Sequence, residues 1–319
     1  MQEIELKFQI PADSLDVLSA ELQGMPGHTR EHLQAHYVDT PDRRLGQARS
    51  ALRLRKEGRR WVQTLKAVGA NTMIRLEDNQ AVPAPAEGSA ARVDLSRHLG
   101  TPGEAPLAKA LVWDTMADPK GERTGLIELY RTDIWRQTAR VTVGDGMVEL
   151  ALDLGHIHAG NLSMAVCELE IESVEGPPMA VIDAARTWVT RHGLWLDTRT
   201  KAHRGDALAR QAAGEAARVA SASAWTKASA GTDLASALED LTDQMSAVSS
   251  GSADLPHSVA AWRQALRGLL AHDQPAASMP EVARLLNALD DDGAQAVALA
   301  RSPSTTLLCL DLFAELLRA

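Results

Sequence analysis

Seven short segments of this chain alternate charged or polar side chains with aliphatic ones, and that alternation limits the possible folds more than any other feature. The first is EIELK, where Glu3, Glu5 and Lys7 alternate with Ile4 and Leu6. A strand sends successive side chains to opposite faces, so the three charges share one face and the aliphatic groups the other. The pattern returns with Arg53 and Arg55 against Leu52 and Leu54, and with Val62, Thr64 and Lys66 on one face of WVQTLK. It returns again with Arg75 and Glu77 around Leu76, Arg136 in 133–143, Glu149 and Asp153 in 147–154, and Glu168, Glu170 and Glu172 in 166–174. For any one strand alone, a solvated charged face explains the pattern. For all seven together it explains less, because three carboxylates in a row repel one another on an open sheet.

The aliphatic faces need a cover, which the helical periodicities at 13–22 and 178–192 supply. If those faces pack outward under helices and the sheet closes, the charged faces point at one another. The sequence therefore predicts an inverted barrel with a polar lumen and no free strand edges. Enclosing charge costs several kcal/mol per ion, so a lumen carrying both signs makes sense when a mixed ligand completes it. A polyphosphate would pair with Arg and Lys, and divalent cations with the carboxylates.

The remaining readings are coarser. Length, 319 residues, suggests two domains. From about residue 206 strand signals give way to Ala-rich helical patterns at 233–249, 256–271, 279–300 and 304–318, after a Ser/Ala/Gly-rich stretch that reads as a linker over 206–232. A net charge of −9 argues against nucleic acid as a partner. Two cysteines, Cys167 and Cys309, fit a reducing compartment. No basic leader with an apolar core opens the chain and no run of 18 apolar residues occurs, so a cytoplasmic protein with no membrane partner is expected. His28, His32 and His36 recur every four residues, as zinc ligands on a helix would. Gly24, Pro26 and Gly27 break the chain before them, however, and His36 begins the extended run HYVD.

Taken in order, the motifs resemble the CYTH, or triphosphate tunnel metalloenzyme, superfamily. EIELK stands at its ExExK signature. YVDTPDRRL (37–45), LRLR (52–55), TLK (64–66), RLE (75–77), TDIWR (132–136), VELALDLG (148–155), CELEIESVEG (167–176) and TKAHRG (200–205) follow in family order. The nearest subgroup is the bacterial inorganic triphosphatases, with a tunnel domain over 1–205 and a helical CHAD domain behind it. The resemblance implies an α+β fold: an eight-stranded antiparallel closed β-barrel with flanking helices, then an all-α region. It implies Mg²⁺ or Mn²⁺. Lys7, Arg53, Arg55, Lys66, Arg75, Arg136 and Lys201 would bind the substrate, Lys201 entering through TKAHRG alone. Glu3, Glu5, Glu168, Glu170 and Glu172 would hold metal, with Asp153 and Glu77 as acidic lumen residues beside it. Glu5 and Glu170 join Lys7, Arg53, Arg55 and Lys66 as the catalytic set.

The implied reaction is hydrolysis of inorganic triphosphate to pyrophosphate and phosphate. Thiamine triphosphatase, nucleoside triphosphatase, class IV adenylate cyclase and a non-catalytic polyphosphate-binding protein remain alternatives on the same tunnel. Residues 233–319 match CHAD less well. His257, Arg263 and Arg267 remain, but residues 220–319 hold 6 Lys and Arg against 12 Asp and Glu. That half reads as a truncated or degenerate version, with packing or homodimer formation as its role.

Overall fold

The computed structural model describes residues 2–67, 74–84, 91–215, 234–251, 254–271, 277–289 and 293–318. The strands are β1 (Gln2–Gln9), β2 (Thr29–Asp39), β3 (Ala51–Glu57), β4 (Arg60–Ala67), β5 (Ile74–Val82), β6 (Ile127–Val143), β7 (Gly146–Ala159), β8 (Leu162–Glu175) and β9 (Trp195–Leu196). They pair antiparallel in the order β5-β4-β3-β2-β6-β7-β8-β1, and β1 returns to β5 through Gln2↔Leu76, Glu3↔Arg75 and Ile4↔Ile74. That pairing completes a ring of eight strands. The two-residue β9, absent from the sequence reading, adds to β1 at Phe8↔Leu196.

The aliphatic faces do point outward. Leu6, Phe8, Leu150, Leu152, Leu169 and Ile171 are buried under α1 (Leu15–Gln23) and α4 (Met179–His192). Leu18 and Leu22 of α1 and Val181, Ala185, Trp188 and Val189 of α4 supply the facing layer. Leu52 and Leu65 lie instead beneath α2 (Arg44–Gln47), a 3-10 turn (Leu95–His98) and α3 (Glu104–Leu111), through Leu45, Leu95, Leu107 and Leu111. Of these, only a short helix over 93–99 is foreseen by the sequence, which reads 83–106 as loop.

His32 and His36 lie on β2, so the helical zinc pattern dissolves. Each faces a carboxylate on β6, His32 with Asp133 at 2.6 Å and His36 with Glu128 at 2.8 Å.

The lumen differs from the expectation at one end. Ile134 shares a strand face with Arg136, Ile157 with Asp153, and Val166 with Glu168, so half of the inner wall is apolar. Helix α5 (Lys201–Ala212) fills that half, packing Leu208 and Ala209 among Leu33, Tyr130, Ile134, Ile157 and Val166. Gly205 allows the approach: a Cβ there would stand 2.2 Å from the Tyr130 ring. The segment read as the start of a linker is thus a helix inside the barrel. The boundary at 205/206 falls within it, and 216–233 lie outside the described residues.

The helical region contains α6 (Leu234–Ser249), α7 (Leu255–Leu270), α8 (Met279–Ala288), α9 (Gly293–Ala300) and α10 (Pro303–Arg318). The single helix expected over 279–300 is divided between α8 and α9. Leu238, Leu241, Met245, Trp262, Leu266, Leu308, Leu312 and Phe313 form its core, and this core is continuous with the layer under α4.

Candidate active site

Strand register sets the charges in rows around the lumen. One row runs Glu5↔Glu172↔Glu149 across β1, β8 and β7. The next places Lys7 opposite Glu170, and a third runs Arg136↔Asp153↔Glu168 across β6, β7 and β8. On the other side of the barrel Tyr37, Arg53 and Thr64 align across β2, β3 and β4, and Lys66 faces Glu77 from β4 to β5.

These rows enclose a cavity of about 280 Å³. Seven cationic side chains line it: Lys7, Arg53, Arg55, Lys66, Arg75, Arg136 and Lys201. Six carboxylates share the wall: Glu5, Glu77, Glu149, Asp153, Glu170 and Glu172. Twelve of the fourteen residues singled out from the sequence therefore meet in one cavity. Of the other two, Glu3 is described by its backbone alone. Glu168 is fully buried behind the wall, bonded to Lys201 and Arg204.

Two polar regions differ in how their charge is balanced. In the first, Asp153, Glu168 and Glu170 bring ligand oxygens within 4.8 Å of one another. The Lys201 ammonium sits among them, 2.9 Å from Glu170 and in contact with Asp153 and Glu168. Arg136 adds two bonds of 2.6 Å to Asp153 and a third to Glu170. Burial opposes ionisation of Glu170, but Lys201, Arg136 and Lys7 outweigh it and hold its carboxyl well below the usual range. Asp153 is held down in the same way by Arg136 and Lys201, against burial.

The second region is the Glu5 row. Among the described residues no cation lies within ion-pairing distance of Glu172. Burial, reinforced by Glu5, Glu77 and Glu170 over the pull of Lys66, raises its pKa to about 7. Glu5 is the better compensated of the two, with Lys7 at 3.5 Å, and Lys66 and Lys7 lower its pKa against burial. Lys66 lies 3.4 Å from Glu77.

The cation-rich wall is rigidly held. Arg53 donates to the Tyr37 hydroxyl at 3.1 Å, and Tyr37 stacks on Tyr130 with centroids 4.7 Å apart. The guanidinium holds the phenol below its ordinary pKa, against burial. Arg55 is anchored by Glu57, while burial and the neighbouring Arg53 lower its pKa. Two close guanidiniums of like charge repel each other, a repulsion that an anion placed between them would relieve.

The sequence reading missed Tyr37, Asn79, Thr200 and Ala202 on the wall; Arg204, which TKAHRG offers as a structural residue, lies behind it, bonded to Glu168. Tyr37 stood in the quoted YVDTPDRRL, on the same strand parity as Leu33 and Ala35. Thr200 and Arg204 stood in TKAHRG, but no strand periodicity covers a helix that enters a lumen.

A closed antiparallel barrel whose charged residues face inward defines a tunnel protein with a polar lumen. The CYTH domain family profile matches residues 1–205, and the chain belongs to that family. Solved structures similar to it include the Hippeastrum protein HpAC1, a candidate adenylyl cyclase reported with a dominant triphosphatase activity. It is 21% identical, with 68% of this chain and 99% of that one covered and a TM-score of 0.44. The PH1819 protein of Pyrococcus horikoshii is 18% identical, covering 62% of this chain and 94% of its own, at a TM-score of 0.39. The inorganic triphosphatase NE1496 is 18% identical, with 54% and 74% covered and a TM-score of 0.22. No helix among the described residues is long and apolar enough to cross a membrane.

Proposed function

We propose that the cavity binds inorganic triphosphate together with Mg²⁺ or Mn²⁺ and hydrolyses it to pyrophosphate and phosphate. The observation that carries this reading is the division of one small cavity into a cationic wall and a carboxylate row in which Glu172, among the described residues, has no cation within ion-pairing distance. At about 280 Å³ the cavity lies at the low end of ligand pockets, which run from about 300 to 1,000 Å³. Among the described residues Tyr37 is the one aromatic that lines it, and its ring is already stacked on Tyr130. A nucleobase or thiamine ring would find no free stacking surface there, which favours the inorganic substrate over adenylate cyclase or thiamine triphosphatase chemistry.

The residues fit a hard divalent cation. Glu5, Glu172 and Glu149 stand in one row, and Glu172 has a raised pKa because burial and the neighbouring carboxylates outweigh the pull of Lys66. Oxygen donors of this kind suit Mg²⁺ and Mn²⁺. Glu5, Glu172 and Glu170 would hold the ion, while Asp153 and Glu168 serve to fix Lys201 and Arg204. Bound there, the ion would neutralise phosphate oxygens and polarise water.

Phosphoryl transfer needs positioning and charge neutralisation more than covalent chemistry. Arg53, Arg55 and Lys66 would hold one end of the chain of phosphates, and Lys7, Arg136 and Lys201 the other. Bonds to carboxylates, and for Arg53 to the Tyr37 hydroxyl, set them in place beforehand, so little reorganisation accompanies the charge that develops on the leaving pyrophosphate. A lumen carboxylate that does not ligate the ion would accept the proton from attacking water.

The test is phosphate release from inorganic triphosphate, ATP and thiamine triphosphate, each with Mg²⁺, Mn²⁺ or a chelator. Metal-dependent release from inorganic triphosphate, lost in Glu5→Gln and Glu170→Gln, is expected. Failure to release phosphate with either metal would overturn the reading, as would faster turnover of either organic triphosphate.

A further inference from the structure

Lys201 reaches the cavity from the first turn of α5, so whatever fixes the start of that helix fixes the ammonium. Thr200 caps it by accepting from the His203 amide at 3.1 Å, and Thr200 itself lines the cavity. The short segment ahead of it, Leu196 to Arg199, is held from two sides. On the barrel side the Asp197 amide donates to the carbonyl oxygen of Lys7 at 3.0 Å, and Asp197, fully buried, binds Arg199 at 2.9 and 2.8 Å. On the other side every bond comes from the helical region. The Leu196 amide donates to Thr306 of α10 at 3.1 Å, and the Thr198 amide donates to Ser246 of α6 at 2.9 Å. The Thr198 hydroxyl donates to Asp243 of α6 at 2.7 Å. Arg49, in the loop after α2, adds a second tie to α6 through Glu239.

We infer that Asp243 and Ser246 of α6 are positioning residues for the cavity: by clasping Thr198 they set the height at which α5 enters the barrel and so place Lys201 against Glu170. The helical region is then part of the active-site scaffold. Two residues separate Thr198 from Lys201, too few to absorb a displacement of the clasp before it reaches the ammonium. Asp243 is half-buried, and desolvation raises its pKa to about 6. No bond of its own to Lys201 or to the cavity wall is needed for that effect.

The inference rests on the triphosphatase reading for its kinetic arm and on nothing but the fold for its second arm. In the first, Asp243→Ala and Thr198→Val each lower kcat/KM for inorganic triphosphate by roughly tenfold, since small misplacements of a positioning group cost that much or more. The double variant loses no more than Thr198→Val alone, because Thr198→Val already removes the bond to Asp243, together with the hydroxyl's 3.1 Å bond to Ser246. Asp243→Asn keeps an acceptor oxygen for the Thr198 hydroxyl and retains most of the activity. In the second arm, amide hydrogen exchange is read across residues 198–204 in the full chain without substrate. Faster exchange in Asp243→Ala and Thr198→Val is expected, with the Asn variant close to wild type. If wild type shows no turnover but the exchange result holds, the triphosphatase reading falls and the clasp stands. Unchanged exchange in both variants overturns the clasp, as do fully additive kinetic losses. Should Asp243→Ala not fold, Thr198→Val, which keeps volume and removes only the hydroxyl, decides alone.

Discussion

Replacing Lys201 by Met tests how the acidic trio is held together. The ammonium is one-tenth exposed and meets Asp153, Glu168 and Glu170 at once. A unit-charge pair at the 2.9 Å separation from Glu170 is worth about 6 kcal/mol at an effective dielectric near 20. Three such attractions are offset by repulsion from Arg136 and by an ammonium desolvation of several kcal/mol. What remains on deletion is the three buried carboxylates with Arg136, Arg204 and Lys7, and because Lys7 is shared with Glu5, four carboxylates face three cations, one negative charge in excess. Leaving such a charge uncompensated costs about 3–5 kcal/mol, a large part of the roughly 5–15 kcal/mol that folds a domain.

The pH dependence has a definite sign. In the wild type Glu170 and Asp153 have lowered pKa values, so their stabilisation is full above the ordinary carboxylate range and is lost as pH falls through their folded values. In Lys201→Met burial dominates, the trio binds protons more readily, and acidification relieves the repulsion. The gap between the two proteins should thus be widest at pH 7 and narrow toward pH 4. Millimolar Mg²⁺ should raise the variant more than the wild type, because the trio could then bind the ion. Urea unfolding followed by tryptophan fluorescence at both pH values measures the gap. A deficit under about 1 kcal/mol at pH 7, or one unchanged at pH 4, would refute the charge accounting.

Three further outcomes follow from particular contacts. In chelator-treated protein the raised pKa of Glu172, about 7 against an ordinary 4.5, makes stability fall as pH rises between those values; Glu172→Gln should remove that component of a urea-midpoint series. Gly205→Ala places a methyl group against the Tyr130 ring, and a loss of about 1–3 kcal/mol in thermal denaturation is expected together with weaker triphosphate turnover. Trp262 is fully buried at the centre of the helical region, so Trp262→Ala should cost about 3–5 kcal/mol of unfolding free energy without altering the metal dependence of hydrolysis.

The barrel was legible because its signal is local. Glu5, Lys7, Arg53, Arg55, Lys66, Glu170 and Glu172 alternate with aliphatic neighbours, and period two needs only a handful of residues to declare itself. The depth of the polar zone was not legible, because Ile134, Ile157 and Val166 fit an aliphatic strand equally well facing a helix inside the lumen or outside it. α5 was hidden for the same reason: KAHRGDALARQA has too polar a composition to announce a helix inside a barrel, and only Tyr130 and the surrounding apolar wall explain its seat. Lys201 came from resemblance alone, since its position depends on a helix entry that no strand pattern encodes. Glu168 shows the converse limit. Parity assigns it to the inner face correctly, yet Lys201 and Arg204 reach it first and screen it from the cavity. The clasp on Thr198 joins residues 45 and 48 positions apart in the chain and leaves no periodic trace.

The apolar layer that runs without interruption from Leu6 and Phe8, through Val181 and Trp188, to Trp262 and Phe313 has a thermodynamic consequence. Two lobes sharing one interior cannot lose their packing independently, because melting either leaves the other with a bare hydrocarbon wall. Barrel and helices should therefore denature as a single cooperative unit, with one calorimetric peak whose van't Hoff and calorimetric enthalpies agree. A substitution deep among the helices would then lower the temperature at which the distant charged tunnel comes apart.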